Sequence, residues 1–271
     1  MTATPAETDA DTPSRADVVK RIQRFEDVIY DRIVTTTRQL RFGHARLSTD
    51  LSHVFDLNHL MVDRPVAAVE LLGLVEEIFL DAGLAHREIQ TRVAQVAWTL
   101  VPALFDQGWS LTRLEYMAHD RATAPAVSPL GFREVDIDTW ADHATAFVAD
   151  NEWGRTEPVQ RDMAARDRRL AARIDSRFIL SEDFSAGCHI YRHGQIAQIE
   201  QVHVLSDARG QGLGLGLMAA ALAACDSASI VFLVADAEEW PRDWYARLGF
   251  TAVASAWEWL KLPAPPGSTP A

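Results

Sequence analysis

From Gly131 onward the apolar residues switch repeatedly between two spacings. Residues 131–137 (GFREVDI) alternate as a half-buried strand does, and residues 138–149 then carry Trp140, Ala144, Phe147 and Val148 at helical spacing. The break DNEWG precedes a charged amphipathic helix over 157–174, with Met163, Leu170 and Ile174 as its apolar markers. RFILSEDF, GCHIYRHG and IAQIEQVHVL follow as three strands, with His193-Gly194 as a hairpin signal. After a glycine-rich stretch and its helix, SIVFLVAD is a short continuous apolar run, the pattern of a parallel strand buried on both faces. Pro241 opens another helix, Gly249 closes it, and 250–260 is the last strand. The order predicts an α/β (α+β) fold in which antiparallel strands lead into a strand, helix, strand crossover.

The first half of the chain echoes that order. HVFDLNHLMVDRP is strand-like, 66–82 is helical with Leu71, Leu72, Val75, Ile78 and Phe79 at apolar positions, and HREIQTRV, AQVAWTLVPALFDQGW and SLTRLEYMAHD continue the alternation. Gly108-Trp109 aligns with Gly249-Phe250 and Val62 with Val204, which predicts one fold used twice. The expected organisation is a tail at 1–15, a first domain at 16–127, a second at 128–262 and a tail at 263–271. The first tail mixes Thr, Ala, Pro and Asp without periodicity, and the second is Pro/Gly/Ser/Thr.

Composition narrows the class of function. A chain of 271 residues that is 48% hydrophobic has ample material for a core. No stretch reaches the roughly 18 apolar residues of a membrane span, and the N-terminus lacks the pattern of a secretory signal, so a cytoplasmic protein with no membrane partner is expected. A net charge of −12 argues against a nucleic-acid partner and suits cationic small molecules such as amines. Cys188 and Cys225 form neither a disulfide framework nor a metal-ligand spacing, so buried reduced thiols and no metal are expected.

The chemistry concentrates in SDARGQGLGLGLMAAALAACD, residues 206–226, where Gly210, Gly212, Gly214 and Gly216 stand at the mouth of a helix. Glycine destabilises a helix, so bare backbone there needs a reason. A helix N-terminus offers unpaired N–H groups and a positive dipole end, and removing Cβ atoms lets an anion such as phosphate approach, with Arg209 beside it. The P-loop pattern fails because no Lys-Ser or Lys-Thr follows, and the dinucleotide pattern GxGxxG fails on register.

The pattern that fits is [QR]xxGx[GA], read over Arg209, Gly210, Gln211, Gly212, Leu213 and Gly214, after a strand ending VHVLSDA and before a helix. With WYARLGF at 244–250, after a buried strand, it resembles the GNAT superfamily of acyl-CoA-dependent N-acyltransferases over roughly residues 131–262. The resemblance implies a GNAT fold, acetyl-CoA as cosubstrate, and acetyl transfer to a primary amine by direct attack in a ternary complex. A non-catalytic acyl-CoA-binding module is the alternative. Residues 209–214 would hold the CoA pyrophosphate through main-chain N–H groups, Val202 and Val204 would pair with the pantetheine arm, and Tyr245 would be the general acid.

An ammonium acceptor must also lose a proton before it attacks. Glu200 is the expected base because it shares strand parity with Val202 and Val204, unless a bulge resets that parity, and His203 is second. Glu152 and Trp153 stand where the superfamily's substrate-facing loop lies, suited to a cationic amine. Glu238 replaces the Asn that many members carry seven residues before the tyrosine. The first half has Leu104 opposite Tyr245 and Ala68 opposite Arg209, with no closely spaced glycines, which predicts a degenerate, non-catalytic GNAT-like domain. Such tandem enzymes, in which one half performs catalysis, occur in the superfamily. The acceptor is expected to be a small molecule, and the sequence fixes neither its identity nor the oligomeric state.

Overall fold

A computed structural model of the chain describes residues 13–123 and 131–263. In chain order the elements are α1 (Arg15–Ile33), β1 (Thr36–Leu40), β2 (Gly43–Leu47), β3 (His59–Val62), α2 (Ala68–Asp81), β4 (Arg87–Thr91), α3 (Ala94–Phe105) and β5 (Ser110–His119). Then follow β6 (Phe132–Val135), α4 (Ile137–Ala149), α5 (Glu157–Arg173), β7 (Asp175–Ser181), β8 (Ala186–His193) and β9 (Ile196–Val204). The chain closes with α6 (Leu213–Ala224), β10 (Ile230–Asp236), α7 (Trp240–Arg247) and β11 (Phe250–Lys261). The succession β3, α2, β4, α3, β5 recurs as β9, α6, β10, α7, β11, so the repeat read from the sequence is present in the fold.

One mixed sheet carries all eleven strands in the order β1-β2-β3-β4-β11-β5-β10-β9-β8-β7-β6. The last strand of each half has crossed into the other. β5 pairs antiparallel with β10 of the second half, and β11 pairs antiparallel with β4 of the first. The two exchanged strands also pair with each other, from Phe250 opposite His119 to Leu260 opposite Ser110. Each therefore supplies core to the half it enters: Trp259 of β11 is fully buried among Leu71, Phe79, Ile89 and Leu100, and Met117 of β5 packs with Ile199, Val231 and Leu233.

The sheet is covered on both faces. Helices α1 and α5 pack on one, around Phe25, Ile29, Leu170 and Phe232, with α4 beside them through Trp140 and Phe147. α6 and α7 cover the other through Leu217, Met218 and Tyr245, with α2 and α3 over the first half. Among the described residues no helix is long and apolar enough to cross a membrane.

Three expectations change. The tail at 1–15 ends sooner, because Ser14 caps α1 by accepting the Asp17 N–H at 3.2 Å, and Ile22, Phe25, Ile29 and Ile33 form its buried stripe. Residues 1–12, the boundary at 127/128 and residues 264–271 lie outside the described residues. The strand read across 53–65 is shorter: a 3-10 turn over Phe55–Leu57 precedes β3, and Asn58 holds that turn by donating to the carbonyls of Leu51 and Val54. α5 is apolar at Met163 and Leu170 as read, but its buried face also carries Asp162, Arg166 and Asp167.

Exchanged strands leave neither half a core of its own, so the two should unfold together. Urea unfolding followed by circular dichroism and by tryptophan fluorescence is expected to give one coincident transition. Trp259→Ala should shift that whole transition by about 3–5 kcal/mol. Two separate transitions would show the halves to be independent.

Candidate active site

β9 and β10 run parallel only from Ile196 opposite Ile230 to Gln198 opposite Phe232. Beyond Gln198 they part, leaving the β10-facing edge of β9 unpaired. On its other edge β9 is bulged: His189 of β8 faces Glu200 and Gly187 faces His203, so Cys188 alone opposes Gln201 and Val202. Gln201 absorbs the extra residue at φ 49°, an uncommon conformation for a non-glycine residue.

This bulge corrects the parity expected for Glu200. The extra residue puts Glu200 and His203 on the same face of the strand and separates Glu200 from Val202 and Val204. Val202 and Val204 pack toward the core around Tyr245 and Leu217, whereas Glu200 turns toward Arg166 and Asp56. The two sides of β9 thus serve two cavities.

The first is a groove of about 620 Å³ between the end of β9, the glycine turn and α7. Val202, Val204, Arg209, Gly210, Gly212 and Gly214 line it, with Trp244 and Tyr245 opposite. The four glycines do two different jobs. Gly210 and Gly212 stand at φ 80° and 81° with open space where a Cβ would go, so they are needed for a left-handed backbone that costs an L-residue about 1–2 kcal/mol. Gly214 and Gly216 are needed for close packing, since a Cβ would meet Trp244 at 3.2 Å and Phe132 at 2.6 Å. Among the described residues, the N–H groups of 209–214 have no protein acceptor, while Leu215 and Gly216 donate to the Gly212 carbonyl. These free donors at the start of α6 fit a diphosphate.

Arg209 contributes its main chain to that turn, but its guanidinium is engaged elsewhere. Nε donates to the Val204 carbonyl at 3.0 Å and Nη2 to Asp150 at 3.0 Å. Asp150 also takes the Ser206 hydroxyl at 2.7 Å and His203 Nε2 at 2.9 Å, so one carboxylate ties β9 to the glycine turn. Burial works against this carboxyl, yet the Ser206 and His203 hydrogen bonds hold it below its usual range. Burial and nearby Arg209 together outweigh Asp150 and lower the His203 pKa, which leaves the ring neutral at pH 7. Gln211 and Leu213 complete the turn, Gln211 exposed and Leu213 packed on the core below.

Tyr245 is held in α7 with its ring against Trp244 and Phe250, and is only 9% exposed. Burial, with smaller additions from Glu200 and Cys188, pushes its phenol well above the usual range, so it stays protonated and able to donate. Glu238 points away from the groove and pairs with Arg113 at 3.1 Å.

The second cavity, about 420 Å³, lies on the other side of β9 and meets the groove at Asn151, Val202 and His203. Its walls include Phe147, Trp153, Met163, Arg166 and Glu200, together with Phe55 and Asp56 from the first half. Burial raises the Glu200 carboxyl to about 7, against the pull of Arg166, while Asp56 and Glu26 add to the rise. Among the described residues its carboxylate accepts one hydrogen bond, from Gln198 Nε2 at 2.5 Å. Of the two loop candidates, Trp153 lines this cavity, and Glu152 is exposed and lines neither.

Asp150, Asp56 and Arg166 were not singled out from the sequence. Arg166 did carry a signal, because with Asp167 it falls on the stripe that runs from Met163 to Leu170. Asp56 and Asp150 carried none, since Asp56 lies inside a short 3-10 turn and Asp150 at a helix C-cap, positions that a polar residue occupies without any functional reason.

The first half lacks the counterpart of this site. Leu104 stands on α3 where Tyr245 stands on α7, fully buried in the core, and α2 begins after Ala67 without a side-chain cap or a left-handed turn.

Residues 170–252 match the model of the acetyltransferase (GNAT) domain. No curated protein matches the sequence. Among solved structures, a conserved protein of unknown function from Staphylococcus epidermidis is similar with a TM-score of 0.72 at 14% identity, covering 89% of this chain and 98% of its own. A GCN5-related N-acetyltransferase from Kribbella flavida has a TM-score of 0.58 at 19% identity, over 90% and 95% of the two chains. One from Sphaerobacter thermophilus has 0.57 at 15%, over 83% and 78%. At such identities these likenesses speak for the fold, and the sequence match falls on the segment from α5 to the start of β11 that builds the groove. Through that segment the chain is similar to the acetyltransferase (GNAT) domain, and over most of its length it shares the fold of these structures.

Proposed function

We propose that this chain transfers an acetyl group from acetyl-CoA to a primary amine, with both bound at once. One observation carries the reading: the free N–H groups of 209–214 and the Tyr245 phenol face one groove, and that groove opens at Val202 onto a second cavity holding Glu200. A CoA thioester supplies an activated acyl group. The chain's part is to hold and orient it and to move protons.

The main chain of 209–214 holds the diphosphate, and the unpaired edge of β9 at Val202 and Val204 pairs with the pantetheine arm. Glu200 takes a proton from the acceptor ammonium, so that the free amine forms the new N–C bond as the C–S bond breaks. Tyr245 gives its phenol proton to the departing sulfur and recovers one from the nitrogen through solvent. One proton leaves the site per turnover, by way of Glu200. The first half is non-catalytic here and lends the acceptor cavity Phe55 and Asp56.

Tyr245→Phe is expected to lower kcat about 100-fold and leave acetyl-CoA binding unchanged by calorimetry. An undiminished rate removes Tyr245 from proton transfer. Glu200 must be ionised to act, so kcat/KM for the amine should climb with pH through about 7. Glu200→Gln should abolish that limb, leaving only the amine's own titration at higher pH, and a limb that persists in the variant assigns the base elsewhere. Gly212→Ala introduces a left-handed alanine and is expected to weaken acetyl-CoA binding about tenfold. Unchanged affinity would mean that the turn does not hold the diphosphate.

A further inference from the structure

The acceptor cavity continues past Glu200. Two further cavities adjoin it on the same face of the sheet, and Asp56 and Glu200 stand on the walls of all three. The larger, about 250 Å³, passes beneath Glu26 and Tyr30 of α1, over Val234 and Tyr116, and reaches Glu258 of β11. Glu258 is therefore three strands from Glu200, roughly 14 Å across the sheet at about 4.8 Å per step, and four residues, roughly 13 Å, further along the strand direction, since the row of Glu200 runs through Val234 and Tyr116 to Ala254. The two side chains share the α1-covered face and span part of that distance themselves.

The acids in this passage outnumber its cations. Glu26, Asp56, Glu200 and Glu258 face it, with Arg92 and Arg166 as its cations. Both cations are committed: Arg92 to Glu26 at 3.0 Å and Asp27 at 3.2 Å, Arg166 to Asp56 at 3.5 Å. Among the described residues, no Lys, Arg or His reaches ion-pair distance of Glu200 or Glu258. Burial, helped by Asp56 and Asp236, raises Glu258 to about 7, as expected of an acid without a counter-ion.

A second, independent demand comes from Arg166. It is 7% exposed and lines the acceptor cavity, yet its Nε and Nη1 have no hydrogen-bond acceptor. Asp167 Oδ1, itself buried without a donor, lies 3.6 Å from Nη1, at ion-pair distance but beyond hydrogen-bond reach, which leaves Nε as the donor with no acid near it. Buried donors of this kind are costly unless an oxygen meets them. The cavity thus lacks two things at two places: an oxygen at Arg166, close to Glu200, and a cation at Glu258, at the far end.

Resting on the acetyl-transfer reading above, the geometry points to a basic α-amino acid as the acceptor. Its α-amine stands beside Glu200, its α-carboxylate meets the free donors of Arg166, and its long side chain carries a cation along the passage to Glu258. The reaction is the one already written, with the α-nitrogen forming the new bond. Glu258 is a specificity residue that touches the cationic tail and takes no part in the chemistry.

The test compares L-lysine with L-norleucine, which lacks the second cation, with cadaverine, which lacks the carboxylate, and with n-pentylamine, which lacks both. CoA release should give lysine a kcat/KM at least about tenfold above each of the others, and mass spectrometry should find the acetyl group on the α-nitrogen. Glu258→Gln should bring the lysine-to-norleucine ratio close to one while norleucine turnover and acetyl-CoA binding stay as they were. Equal turnover of lysine and norleucine, equal turnover of lysine and cadaverine, acetylation at the ε-nitrogen, or a ratio untouched by Glu258→Gln overturns the proposal. If other amines are acetylated and lysine is not, the proposal fails and the acetyl-transfer reading stands. If no amine releases CoA, both fall.

Discussion

Everything at this site follows from the parting of two strands. β9 and β10 share three residue pairs and then diverge, so the backbone of β9 past Gln198 keeps one edge without a strand partner. In a sheet interior such an edge is costly unless something occupies it, because each free N–H and C=O forgoes a bond. Here the open edge becomes the floor of a groove. The bulge at Gln201 and Val202 adds the second consequence, turning Glu200 to the opposite face from Val202. One irregularity thereby separates the face that lines the groove from the face that carries Glu200 within a few residues, and Asp150 fixes it in place by clasping His203, Ser206 and Arg209.

The exchange of β5 and β11 explains how a half without the glycine turn still matters to the site. Because β11 lies between β4 and β5, the first half is held against the second along the whole height of the sheet. That fixed relation carries the turn at Phe55 and Asp56 to the cavity of Glu200 and lays α1 over the passage beside it. The half without a glycine turn thus supplies part of that cavity's wall, and its acids line the space together with Glu258 of β11.

Much of the second half was legible in the sequence because each element there obeys one period. The apolar run of β10, the capping proline of α7 and the turn at Gly249 were read to within a residue or two, and the repeat showed in the matching Gly-aromatic endings. Strand exchange was not legible: SLTRLEYMAHD and FTAVASAWEWL have the same pattern whether each returns to its own half or crosses. The bulge was equally hidden, since Gln201 carries no mark of a positive φ. Parity counted along an ideal strand consequently put Glu200 on the face of Val202 and Val204, whereas the bulge turns it to the other. α1 escaped because its stripe is diluted by charged residues, and Arg166 because a charge on an apolar stripe reads as an exposed residue until the cavity beside it is seen.

On the proposed reading, the bare main chain at the start of α6 and the open edge of β9 together hold one acyl-CoA molecule. A crystal structure of the chain grown with acetyl-CoA tests this directly. The diphosphate is expected on the N–H groups between Arg209 and Gly214, the pantetheine along Val202 and Val204, and the thioester between Tyr245 and the cavity of Glu200. A cofactor bound elsewhere, or a glycine turn left empty at saturating acetyl-CoA, would contradict it.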